Sequence, residues 1–228
     1  MAYYYCFLPE SSNSIMAVGT THKNEVISMK HKFQISESIR LGAILALSGG
    51  FMDAYSYMER GEVFANAQTG NMLLFGAHLS QGDFQNTLKY LFPVLAFALG
   101  IALAEVVRAK AGNLLHWRQI SVLAEALILI AVSFFPTALN LPANALTSFA
   151  CGIQVESFRK IHGKGIATTM CIGNLRSGTE NLHHYFHTKE RHFLDTSLLY
   201  YGIIACFIVG AVIGNAAVQL FRTKAILG

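Results

Sequence analysis

The fold class this sequence predicts is all-α, a polytopic bundle of about six or seven membrane helices. Three observations carry that prediction. Of 228 residues, 53% are hydrophobic and only 13% charged, with a mean hydropathy of +0.42; a soluble domain is nearer a quarter charged. The charges cluster, leaving uncharged runs such as 120–124 and 126–155. The apolar runs lack the two-residue alternation of barrel strands, and lipid offers backbone groups no water partner, so helices are the solution left.

Seven apolar segments follow in order. The first, about 39–58, is introduced by the basic lead "MKHKFQISESIRLG" and carries Gly49, Gly50 and Asp53 in "SGGFMDAYSYM". The second, about 63–80, holds the polar run "FANAQTGN". The third, about 90–107, places Pro93 in its first turn, where a missing N–H costs little. The fourth, about 120–135, ends at Pro136, and Pro136 and Pro142 bracket the turn into the fifth, about 143–158. The sixth is about 166–183 and the seventh about 196–221. Residues 1–38 are polar, Ser/Thr-rich and lack a span or a cleavable-signal pattern, so they are expected to form a flexible extension, with Met1, Met16 and Met29 as alternative starts. Residues 39–221 are expected to make one transmembrane domain and 222–228 a short tail.

The segments repeat. A shift of 103 residues brings Gly49 onto Gly152, Asp53 onto Glu156, and Gly70-Asn71 onto Gly173-Asn174. A shift of 110 brings Phe97 and Gly100 onto Phe207 and Gly210. The expected plan is therefore two three-helix repeats, about 39–110 and 143–221, joined by a linker helix at about 118–136. Topology depends on the second and sixth segments. If both cross, the repeats are parallel and Lys plus Arg, Arg176 set aside, divide 7 against 9 between the two faces. If both are re-entrant, five segments cross, the repeats are inverted, and the division is 12 against 4 with the N-terminus inside. Each segment has the ~18 residues that just suffice to cross. Seven crossing helices, broken at Gly-Asn, is the slightly favoured reading.

Intramembrane polar residues mark the candidate site. A carboxylate at depth, such as Asp53, costs roughly 2.5–3.5 kcal/mol unless paired, neutral or facing water. Asp53 is the candidate for proton coupling, against an interfacial role helped by Glu59-Arg60. Glu156 is its repeat mate, although Arg159 and Lys160 stand one turn on. Asn66, Gln68, Thr69, Asn71, Gln154, Thr168, Thr169 and Asn174 either line a solute cavity at the repeat interface or lock helices together. Arg176 either neutralises Asp53 or Glu156 or pairs locally with Glu180. Gly100 with Ala104, and Gly210 with Gly214, form close-packing faces. Glu105 and Glu125 read as interfacial beside the basic loop that joins the third and fourth segments.

Several function classes are excluded or demoted. Cys6, Cys151, Cys171 and Cys206 are scattered without a CxxC pair, so neither a disulfide framework nor a zinc spacing is expected. His183, His184, His187 and His192 lack a supporting carboxylate or Cys pattern and read as a wet linker, with no metal expected. No nucleophile–base constellation, phosphate-cradling loop or HExxH occurs, so no enzyme activity and no cofactor are expected. No basic patch carries interleaved aromatics, so no nucleic-acid partner is expected.

The stretches "GGFMDAYSYM…GEVFANAQTGNMLLFG", "FALG" and "GIQVESFR…ATTMCIGNL" resemble the YoaK-like bacterial multi-pass membrane proteins, over about Leu41 to Leu220. In that pattern a Gly-x-x-Asp-Ala helix precedes a Phe-x-Asn-x-x-Thr-Gly-Asn segment, then a Gly-x-Gln segment and a Thr-Gly-like element. The pattern falls on Gly50, Asp53, Ala54, Phe64, Asn66, Thr69, Gly70, Asn71, Gly152 and Gln154. This chain departs from it with Ile172-Gly173 at the second Thr-Gly position and with Glu156 where the pattern is neutral. The resemblance implies a bacterial inner-membrane location and no substrate. The expected function is a small-solute transporter or channel whose partners are membrane lipid and an unidentified solute. The alternative is a scaffold or accessory protein whose polar residues lock packing. Substrate, coupling ion, direction and oligomeric state, a homo-oligomer included, stay open.

Overall fold

The structure, a computed structural model, describes residues 38–111, 117–160 and 165–227; most of the expected extension, 1–37, lies outside them. The seven apolar segments are seven α-helices: α1 (Ile39–Glu59), α2 (Gln68–Ser80), α3 (Phe84–Ala111), α4 (Trp117–Ser133), α5 (Asn140–Ser157), α6 (Cys171–Thr188) and α7 (Arg191–Phe221). No strand occurs among the described residues. Ser38 caps α1, its Oγ accepting the Leu41 N–H at 3.2 Å. Asp83 caps α3 in the same way, accepting the Asn86 N–H at 3.2 Å. That cap starts α3 at Phe84, so Pro93 falls inside the helix and not in its first turn as expected.

Side-chain bonds fix the helix directions. Ser56 donates to Asn144 Oδ1 at 2.9 Å, and Asn144 Nδ2 donates to the Arg60 carbonyl at 2.8 Å. Later residues of α1 thus meet earlier residues of α5, and the two run antiparallel. Gly210 lies against Leu47 and Gly214 against Phe51, so α7 runs parallel to α1. Arg60 reaches the Val132 and Phe135 carbonyls at the end of α4, which therefore ends where α1 ends. A Cβ at Gly61 would stand 3.6 Å from Lys89 Cε, near the start of α3, and Arg108, near its end, faces Glu156 of α5 at 3.6 Å. α3 therefore runs with α5 and against α1.

That arrangement leaves α2 no route across. The chain leaves α1 and enters α3 at the same end. Residues 60–67 descend beside α1 to the level of Asp53 and Gly49, the latter ~15 Å below Glu59 at 1.5 Å per residue. The thirteen residues of α2 then climb back, ~20 Å of helix against a hydrocarbon thickness of ~30 Å. On the opposite side, Thr169 rests against Gly49, and α6 starts at mid-depth. It runs antiparallel to α7, with His184 stacked on Phe193 at 5.2 Å and, further from the turn, Ser197 donating to the Gly178 carbonyl at 2.8 Å. Five helices traverse the bundle and two, α2 and α6, dip into it, where the sequence slightly favoured seven crossing helices.

Two crossings hold the bundle together, and glycine permits both. A Cβ on Gly50 would overlap the Phe207 carbonyl, and one on Gly210 would overlap that of Leu47. A Cβ on Gly100 would overlap the Phe149 carbonyl, and one on Gly152 that of Phe97. The α1–α7 and α3–α5 crossings thus use the same contact, each glycine meeting the carbonyl three residues before its partner. Gly50 and Gly152 sit at these crossings, whereas Gly49 lies against Thr169. The core between the crossings contains Met52, Tyr55, Phe97, Val132, Cys151 and Val218. Residues expected as a short tail form a 3-10 helix, Arg222–Leu227, whose Ala225 and Ile226 join that core.

Two stretches, Phe84–Lys110 and Arg191–Leu227, are long and apolar enough to cross a membrane. Only 28% and 22% of their apolar windows are buried, unlike the core helix of a soluble protein, and Leu99, Val212 and Ile213 stand exposed.

Candidate functional site

The first dipping element is built by its own polar side chains. Positive φ at Gly61 (84°) and Glu62 (61°) reverses the chain after α1. Asn66 then donates its backbone N–H to Asp53 at 2.6 Å and its Nδ2 to the Gly49 carbonyl at 3.1 Å. The N–H groups of Ala65 and Ala67 also lie against the Asp53 carboxylate. Asn71 clasps Phe64 on both sides, accepting its N–H at 3.0 Å and donating to its carbonyl at 2.8 Å. Gln68 bonds the Ala65 carbonyl at 2.7 Å and Ser148 at 3.3 Å. A Cβ on Gly70 would come 2.7 Å from the Phe64 ring. Asp53 thus supplies the acceptor that the unwound backbone before α2 needs, as an acidic group does at a helix start.

The second element copies the clasp and omits the carboxylate. Asn174 donates to the Ala167 carbonyl at 2.6 Å, seven residues back, as Asn71 does to Phe64. No side chain caps the start of α6. The buried hydroxyls of Thr168 and Thr169 have no hydrogen-bond partner, and neither has Asn66 Oδ1.

Between the two elements lies a cavity of about 970 Å³. Asp53, Asn66, Gln68, Thr69, Thr169 and Asn174 give it a polar floor at the starts of α2 and α6, while Phe64, Phe97, Phe207 and Val212 wall it. Met58, Ile172, Ile208 and Val212, all on its rim, are exposed, so it opens sideways between the helices. Such a space can hold a small amphiphile, with hydrogen-bonding groups at one end and apolar surface at the other.

A family model described as "Protein of unknown function (DUF1275)" matches residues 41–228, nearly the whole described chain. The chain belongs to this DUF1275 family. A relative, the UPF0700 transmembrane protein YoaK of Bacillus subtilis (strain 168), is 29% identical over 182 residues, covering 75% of this chain and 80% of that one. No solved structure matches the chain significantly. The family resemblance read from the Asp-Ala and Thr-Gly-Asn motifs is therefore upheld.

On this DUF1275 chain the expected site residues divide. Asp53, Asn66, Gln68, Thr69 and Asn174 meet at the cavity. Asn71 is fully buried behind them, its amide bonded to Phe64 and Gln68. Gln154 is buried elsewhere against Leu45, to whose carbonyl it donates at 3.4 Å. Glu156 pairs with Arg159 at 2.8 Å and with Arg108, away from the cavity. Arg176 is exposed on α6 and does not line the cavity. Glu125, expected near an interface, is buried in α4. Cys151, Cys171 and Cys206 are free.

Sequence reasoning missed Arg60. Named from the sequence only as support, with Glu59, for an interfacial Asp53, it is fully buried. Its guanidinium donates to the Tyr55 hydroxyl at 2.8 Å, the Phe135 carbonyl at 2.9 Å, the Val132 carbonyl at 3.0 Å and Asn140 Oδ1 at 3.3 Å. The last carbonyls of α4 offer the negative end of a helix dipole, which accommodates a buried cation. Tyr55 passes the connection on to the Thr223 carbonyl at 2.9 Å. The signal was the position: a lone Arg one residue past an apolar helix, facing a Phe-Phe-Pro turn.

Proposed function

We propose that the protein is a multi-pass protein of the bacterial inner membrane that carries or conducts a small solute through the cavity between α2 and α6. The single observation that supports this most is the cavity's floor. Two half-helices begin at mid-depth from opposite ends of the bundle, and unwound backbone lies beside each. Non-helical backbone at membrane depth is tolerated where it is buried in protein or lines a water-filled space. Discontinuous helices facing one another at the midplane are the arrangement transporters use around a site.

In this reading the two halves are an inverted repeat. α1-α2-α3 and α5-α6-α7 run in opposite senses, α4 links them, and the matched glycine crossings and matched Asn71 and Asn174 clasps support it. Among the described residues, Arg176 within α6 set aside, eight Lys and Arg (Arg40, Arg108, Lys110, Arg118, Arg159, Lys160, Lys189, Arg191) stand at the end where α1 begins, against four (Arg60, Lys89, Arg222, Lys224) at the other. That bias supports an orientation with the start of α1 inside. Access would alternate as one half rocks against the other. Proton coupling would run through Asp53, whose protonation removes the acceptor that holds Asn66.

One observation favours the rival scaffold reading: the amides of Asn71 and Asn174 bond backbone, not open space. Cysteine accessibility in cells separates the readings, with the natural cysteines replaced. Cysteines at Gly61 and Gly82 are expected on one face and one at Lys189 on the other; seven crossings would put Gly61 and Gly82 on opposite faces. A cysteine at Thr69 or Thr169 is expected to react with a small water-soluble reagent. Protection of both sinks the solute reading and leaves the scaffold.

A further inference from the structure

The two half-helix starts are unequal, and the difference points to a ligand. At α2 the unwound N–H groups are answered by a carboxylate of the chain itself, Asp53. In the glycine register, Gly50 onto Gly152, the residue matching Asp53 is Val155. The neighbouring Glu156 is committed to Arg159 and Arg108. The start of α6, an eighteen-residue helix, therefore has no carboxylate of its own. Its first N–H groups are the donors a helix leaves unpaired, at the positive end of its dipole.

A second observation stands beside the first. Thr169, 5% exposed, lines the cavity immediately before α6, and its hydroxyl has no partner. A buried hydroxyl left without a bond costs on the order of 1–3 kcal/mol. At the same depth the cavity wall is apolar, formed by Phe207 and Val212, and open to the side.

We propose that the cavity binds an organic monocarboxylate, its carboxylate on the free N–H groups of α6 and the Thr169 hydroxyl, its apolar body along Phe207 and Val212. The ligand answers N–H groups at the start of α6 as Asp53 answers those of residues 65–67 just before α2. Asp53 faces the same space, but its oxygens are occupied by the N–H groups of the α2 element, so the α6 donors remain for the ligand. This names the solute class for the site proposed above and rests on that reading. The same chemistry has two sources: a water-soluble aromatic acid, or a fatty acid entering sideways from the bilayer.

The test is equilibrium binding to the full-length protein in lipid nanodiscs. One arm compares radiolabelled phenylacetate with phenylacetamide, the other oleate with oleamide. The expected result is at least tenfold preference for acid over amide in one arm, and that arm names the source. Thr169→Val is expected to reduce acid affinity about tenfold with amide affinity and melting temperature unchanged, and Thr169→Ser to restore it. Equal binding of acid and amide in both arms overturns carboxylate recognition, as does no binding in either. A Thr169→Val variant that binds acid like the wild type removes Thr169 from the site and overturns the proposal as stated. Labelling of the Thr69 and Thr169 cysteines reports separately, so a wet cavity that ignores acids refutes only the ligand class.

Discussion

The Asp53 carboxylate accepts the backbone N–H of Asn66 at 2.6 Å, across the gap between α1 and the unwound stretch that precedes α2. This bond sets the depth to which the first dipping element reaches. It makes Asp53 a holder of backbone as much as a site residue.

Asp53→Ala leaves buried N–H groups unanswered and is expected to cost about 1–3 kcal/mol. Asp53→Asn keeps one acceptor oxygen and costs less. Thermal melting in detergent reads both. An Asp53→Ala variant that melts like the wild type would remove the bond from any structural role.

Arg60 is expected to be the most sensitive charged position. Arg60→Met strips five oxygens of their donor, and about 3 kcal/mol or more is the expected loss. Arg60→Lys keeps the charge but lacks the planar fork, so it should recover only part of it. Equal melting of the Lys variant and the wild type would show that charge alone suffices.

The crossing glycines give a graded test. Gly50→Ala and Gly152→Ala each drive a methyl into a backbone carbonyl of the facing helix, which cannot yield as a side-chain tip can. Both are expected to lose folded protein in a detergent-stability assay. Gly76→Ala and Gly173→Ala meet nothing within 4 Å and lie in helices. They should be neutral or stabilising by ~0.5–1 kcal/mol. Similar losses at all four positions would show that the close crossings do not govern stability.

Asp83 supplies a pH dependence. The Asn86 side chain at 2.7 Å, the Asn86 N–H, and the His78 ring at 3.1 Å hold its carboxyl below the usual carboxylate range. A folded value below the unfolded one gives stability that is complete above the ordinary carboxylate pKa and lost as pH falls through the folded value. Asp83→Ala should therefore melt lower than wild type at neutral pH, and the two should converge in acid. A gap that is constant with pH would refute the carboxylate's part.

Much of this was legible in the residues. Apolar length and charge spacing marked all seven helices, and the Gly, Asp and Gly-Asn order marked the elements that meet at the cavity. Direction was harder, because Val63–Ser80 has the length of a span whether it crosses or folds back. What reverses it is the set of backbone bonds from Asp53 and Asn71, which no hydropathy pattern displays. Charge counting leans the same way, since only the five-crossing plan divides Lys and Arg unevenly. Glu156 was drawn in by its match to Asp53 at a shift of 103, but in the fold it pairs with Arg159 and Arg108, away from the cavity. Arg60 was hidden because its partners are carbonyls, and every residue has one.

The pairing of α1 with α7 has a consequence for biogenesis. Tyr55 reaches Thr223 across 168 positions, whereas the Gly100–Gly152 crossing closes within about fifty. Loop closure over a longer chain costs more entropy, and it also waits on synthesis. The middle of the bundle can therefore dock while the ribosome is still working. α1 can meet α5 and the stretch before α2 early, but its glycine face stays uncovered until α7 arrives. A chaperone or insertase that shields the first helix would act in that window.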